Sequence, residues 1–156
     1  MNVVVRNVAS LAVLIAALVA CGSNITHIDT ARTNVPDTRS FDGSMDTVWA
    51  AAKRALSADA TFKALDRSSG IMVTEFRTID AEELSIAQTV FLGKTYKSSY
   101  TVNFNPATDG KTDVTVNVKL QAVQVGFFSR EESNEGVESY LRQALFDKIA
   151  TNMGHR

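Results

Sequence analysis

The chain is short of the residues that most often carry chemistry. It has one Cys, two His, one Trp and two Pro among 156 residues. A lone Cys excludes a disulfide framework within the chain and any Cys-rich zinc site. The two His, His27 and His155, leave little for acid–base catalysis, which uses that side chain most often. An excess of one charge is missing too. Sixteen basic against 17 acidic residues give a net charge of −1, which excludes a strongly basic nucleic-acid binder. No internal repeat and no low-complexity stretch is present. What remains is ordinary for a folded domain: 45% apolar and 21% charged types, at a length that suits one domain with a real core.

The first twenty residues carry a single charge, Arg6, and from Val8 to Val19 only Ser10 is polar. That apolar run is about 18 Å long as a helix, too short for a bilayer core that needs about 20 residues. It suits the apolar region of a secretory signal peptide. The segment ends in Leu18-Val19-Ala20-Cys21. These four residues resemble the lipobox of bacterial lipoproteins, where a branched apolar residue and a small residue precede an obligatory Cys. The resemblance implies cleavage between Ala20 and Cys21, a thioether-linked diacylglycerol on Cys21 and acylation of the new amino group. It also accounts for the lone thiol, which in an exported protein would otherwise be free to react or to pair between chains. Two or three acyl chains anchor stably where one holds only marginally. The mature chain would have 136 residues and a net charge of −2. Gly22 and Ser23 follow the Cys. In lipoproteins of enterobacterial type an Asp there signals retention in the inner membrane, so its absence implies the periplasmic face of the outer membrane, with the inner membrane as the host-dependent alternative.

Residues 1–20 are thus expected to be a signal peptide, 21–38 a lipidated Cys and flexible tether, and 39–156 an α+β domain. From Gly22 to Thr38 the chain is polar and aperiodic, with a root-mean-square span of about 23 Å. Asn24-Ile25-Thr26 matches a glycosylation sequon, a frequent chance match. A short strand is expected near Ser40–Phe41. Ser44 can cap a helix over 45–58, in which Met45, Val48, Trp49, Ala52, Ala55 and Leu56 recur at helical spacing. Trp49 reads as a core anchor. Thr61–Asp66 and Ile71–Thr78 read as a hairpin turned by Arg67-Ser68-Ser69-Gly70. Asp80–Glu83 reads as a loop and Ile86–Leu92 as a possible strand.

The strongest β signal is the alternation of Tyr100, Val102 and Phe104 with polar residues. It resumes after Pro106–Gly110 at Val114, Val116, Val118, Leu120 and Ala122. Such period-two alternation predicts an antiparallel hairpin with one dry and one wet face. A last helix is expected over 134–152, with Val137, Leu141, Leu145 and Ile149 at successive i+4 steps. The fold class is therefore α+β. A single helix-grip-like domain has an antiparallel sheet of about four or five strands, packed on one face by an early helix and a long C-terminal helix.

The Trp49 helix, the Asp66-Arg67-Ser68-Ser69-Gly70 turn into Ile71-Met72-Val73, and the Ser99–Val118 hairpin before the final helix resemble the helix-grip domains of BamC lipoproteins. The resemblance spans roughly residues 39–153 and is one of pattern. It implies a β-α-β-β-β-β-α order and, as a functional expectation, a place beside outer-membrane β-barrel assembly. BamC carries two such domains and a long N-terminal segment, where this chain has one domain and a short tether.

No catalytic constellation emerges. A Ser-His-Asp triad would need His27 in the tether or His155 at the chain end. Gly93-Lys94-Thr95 is similar to the end of a phosphate-binding loop, but Gln88 stands where that loop requires Gly. The acidic pairs Glu82-Glu83 and Glu131-Glu132 lack the spacing of a calcium loop. Gly126-Phe127-Phe128 lies between the last strand and the last helix, where polar residues are usual, and Phe127 and Phe128 are candidates for a partner contact. The sequence points to a lipid-anchored, non-enzymatic interaction module of the envelope, with no cofactor, no metal and no nucleic acid. Membrane lipid, through the acyl chains on Cys21, and an envelope protein are its partners. The alternative is a carrier of a small apolar ligand in a cavity lined by Tyr100, Phe104, Val116 and Leu141.

Overall fold

The structure, a computed structural model, describes residues 35–80, 94–124, 130–131 and 133–154. The elements run β1 (Thr38–Asp42), α1 (Met45–Ser57), β2 (Phe62–Asp66), β3 (Ile71–Thr74), β4 (Arg77–Thr78), β5 (Lys94–Pro106), β6 (Lys111–Gln124), β7 (Arg130–Glu131) and α2 (Glu135–Gly154). Among the described residues the seven strands form one antiparallel sheet. Its main path is β1-β6-β5-β3-β2; β4 adds to β5 and β7 to β6. Both helices cover the same face. Trp49 of α1 lies 5.0 Å from Phe104 of β5, and Phe146 of α2 lies 6.1 Å from Phe41 of β1. The expected α+β arrangement of a sheet with an early and a long C-terminal helix is the arrangement found.

The β5–β6 hairpin is the spine of the sheet. It pairs without interruption from Lys94–Gln124 to Pro106–Thr112. Tyr100, Val102, Phe104, Val114, Val116, Val118 and Leu120 are buried under the helices. Their neighbours Asn117 and Lys119 stay exposed on the other side, as period-two alternation demands. The connection closes through Asp109 (φ 67°) and Gly110 (φ 74°), both in the left-handed region.

Helix α1 begins where Ser44 Oγ accepts from the Thr47 N–H, with Asp46 in the positive first turn. Of its expected apolar face, Val48, Trp49, Ala52, Ala55 and Leu56 are buried and Ala51 joins them, while Met45 is half-buried against the core. Helix α2 is capped reciprocally. Asn134 Oδ1 accepts from the Val137 N–H at 3.2 Å, and Glu138 Oε1 accepts from the Asn134 N–H at 3.1 Å. Val137, Leu141, Leu145 and Ile149 are buried as their spacing predicts, and Phe146 and Ser139 are buried with them.

Three expectations shift. The strand expected over Ile71–Thr78 is two strands. β3 pairs Ile71 with Asn103, whereas β4 pairs Arg77 with Ser98, so the register advances by one residue between them. The cause is local. Thr74 Oγ1 accepts from the Tyr100 N–H at 2.9 Å, and the Glu75 N–H turns to Thr61 O at 2.8 Å. The strand expected from Tyr100 starts six residues earlier, at Lys94. At the N-terminal side the domain takes in residues expected in the tether: Val35 packs against the core and Thr38 opens β1. The strand expected over Ile86–Leu92 lies outside the described residues.

Candidate functional site

The turn Asp66–Gly70 is the most tightly specified surface feature. Asp66 Oδ1 accepts from Ser68 Oγ at 2.6 Å and from the Ser69 N–H at 3.1 Å. These bonds to the ionised form hold its carboxyl down to about 2, below the usual 3.8. Arg67 pairs with Asp46 of α1. Gly70 adopts φ +65°, and a Cβ there would stand 2.5 Å from the Phe104 carbonyl oxygen. The Phe104 N–H donates to Gly70 O at 2.8 Å, so β5 and the turn touch backbone to backbone.

At the opposite edge the N-terminal chain meets α2. The Arg142 guanidinium donates to Val35 O at 2.6 Å and to Val116 O at 3.2 Å. The Val116 N–H donates to Asp37 O at 2.7 Å. Thr38 and Thr115 share a hydroxyl contact at 2.8 Å, and Arg39 reaches Asp147 at 3.3 Å. Periodicity does not mark Arg142, because its two carbonyl partners are fixed only when β1, β6 and α2 meet.

A notch opens where the end of α1 approaches β4, β5 and α2. Leu56, Asp59, Arg77, Tyr100 and Lys148 are among its walls, and Lys148 donates to the Asp59 carboxylate. Its volume of about 20 Å³ is room for one water. The four residues expected to line a ligand cavity, Tyr100, Phe104, Val116 and Leu141, are all buried in the core cluster that both helices share. Strand β2 forms one edge of the sheet, with Leu65 42% exposed on it, and Phe76 is 38% exposed beyond β3. Lys63 and a bulge between Phe62 and Ala64 interrupt that edge, devices that discourage strand addition.

Of the residues singled out in the sequence, Ala20, Cys21, His27, Glu82, Glu83, Gln88, Gly93, Phe127, Phe128, Glu132 and His155 lie outside the described residues. Lys94 opens β5, and Glu131 is exposed in β7. Among the described residues no three His, Cys, Asp or Glu side chains gather where they could hold a metal ion, and no helix is long and apolar enough to cross a membrane.

The fold defines an α+β protein in which one antiparallel sheet is backed by two helices. No protein-family model and no curated protein sequence matches the chain. Among solved structures it is similar to a DUF4468 family protein from Bacteroides ovatus. The identity is 12% and the TM-score 0.44, with 76% of this chain and 85% of that one covered.

Proposed function

We propose that the chain is a lipid-anchored, non-enzymatic interaction module of a bacterial envelope, held at the periplasmic face of the outer membrane through acyl chains on Cys21. The observation that carries this reading is Leu18-Val19-Ala20-Cys21 at the end of a short apolar segment, with Cys21 the only thiol in the chain. The sequence distance supports it: Val35, which Arg142 holds on the domain, follows Cys21 by 14 positions, close enough to keep that domain near a membrane surface. The finer reading, kinship with the helix-grip domains of BamC and a place beside barrel assembly, rests on sequence pattern alone. The burial of Tyr100, Phe104, Val116 and Leu141 favours an adaptor over a carrier, because those side chains fill the space a ligand would occupy.

Intact mass and membrane flotation of the protein expressed in bacteria test the anchor. The expected result is loss of residues 1–20, a mass gain from acylation, and release of Cys21→Ser into the soluble fraction. A Cys21→Ser protein that still matures and stays on the membrane would sink the reading. Cross-linking in intact cells tests the adaptor role: wild type should recover a defined envelope protein, and Phe128→Asp should lose it while remaining folded.

A further inference from the structure

We propose that Val35–Asp42 is a releasable strap, clamped by Arg142, whose docking sets how far the folded domain reaches from the point where its N-terminal chain is fixed. This rests on the anchored reading above.

Four features make the strap separable from the rest of the fold. In β1 only Phe41 is buried; Thr38, Arg39, Ser40 and Asp42 are exposed. The ion pairs that flank it, Arg39–Asp147 and Lys111–Asp42, are exposed and therefore weak. Its sheet ladder cannot run past Pro36, which has no N–H to give. Beyond that proline the Arg142 guanidinium takes over, joining Val35 O on the strap to Val116 O on β6. Loss of the strap leaves β6 paired to β5 along its length, and what α2 gives up is Phe41 against Phe146, Arg39 against Asp147 and one of the two carbonyls held by Arg142. The hinge is Gly43, pinned by its N–H to Gly110 O at 3.1 Å and by its carbonyl accepting from Thr112 Oγ1 at 2.9 Å. Segments with few buried contacts open at lower free energy than the core. Among the described residues, release moves the first one held on the domain from Val35 to Gly43, and the eight freed residues add up to about 27 Å of chain.

Native-state hydrogen exchange on the full acylated chain in liposomes tests this, with flotation of the same sample reporting the anchor separately. In wild type, peptides covering 35–42 should exchange through an opening that low urea barely changes, at least tenfold faster than peptides covering 100–104. Arg142→Ala should raise exchange of the strap about tenfold or more and leave 45–57 and 100–104 unchanged. Arg142→Lys, whose single amine cannot bridge both carbonyls in the same way, should fall between. Strap and core exchanging together in wild type, with the same urea dependence, would overturn the proposal. So would an Arg142→Ala protein in which strap exchange is unaltered or core exchange rises equally. A chain that fails to float while its strap behaves as described would refute the anchor and leave the clamp standing.

Discussion

Gly70 and Gly110 hold nearly the same backbone angle in different surroundings, which allows strain and steric contact to be separated. Gly70 has φ +65° and Gly110 φ +74°. A methyl group at Gly110 meets nothing within 4 Å, so Gly110→Ala carries only the left-handed penalty, about 1 kcal/mol. At Gly70 the same methyl would stand 2.5 Å from Phe104 O. That oxygen belongs to a central strand whose residue Phe104 is paired with Val114 and whose N–H is held by Gly70 itself, so it cannot swing aside. Overpacking against fixed atoms adds about 2 kcal/mol, for a total of about 3 kcal/mol in Gly70→Ala. For a domain of this size the difference between the two variants corresponds to roughly 8 °C in Tm. Urea titrations of both variants, read by the fluorescence of Trp49 beside Phe104, measure it. Equal destabilisation of the two would refute the steric part of the reasoning. A cost below about 0.5 kcal/mol at Gly70 would refute both parts.

Two further outcomes follow from geometry already described. The Asp66 carboxyl is held at about 2 in the folded protein against 3.8 otherwise, so its ionised form stabilises the fold above about pH 4, and that contribution fades as pH falls toward 2. The stability gap between wild type and Asp66→Asn should therefore be flat from pH 7 to 5 and close between pH 4 and 2; a gap that does not narrow would show that the bonds to Ser68 and Ser69 do not favour the carboxylate. Phe146 is 1% exposed and faces Phe41, so Phe146→Ala should cost about 3–5 kcal/mol and also speed hydrogen exchange in β1, whereas an effect confined to α2 would mean that the two rings do not support one another.

Much of the fold is legible in the chain because single physical signals suffice. Ser44 and the spacing of Val48, Trp49, Ala52 and Leu56 define α1 almost to the residue. Alternation from Tyr100 to Ala122 defines the inner face of the central hairpin. The parts that stay hidden depend on tertiary partners. Lys94–Ser99 lacks apolar alternation and becomes strand only because β4 and β6 flank it. The break after Thr74 follows from a hydroxyl that takes the place of a ladder bond, which no local pattern announces. Phe146 falls beside the i+4 stripe and is buried because β1 brings Phe41 to it. The proposed anchor rests on Leu18–Cys21, a short contiguous stretch that can be read without a fold, whereas Arg142 meets carbonyls 26 and 107 positions away and is visible only once the chain is folded.

The topology also fixes an order of events during synthesis. Among the described residues strand β1 pairs only with β6, so Ser40 must wait for Asp113, 73 residues later in the chain. The hairpin formed by β5 and β6, by contrast, closes across a short turn and can form locally. A chain emerging N-terminus first therefore presents β1 and the apolar face of α1 well before their partners exist. Phe41, Trp49 and Leu56 would stay uncovered until residues 100–149 arrive, and it is during that interval that the chain most needs protection from aggregation.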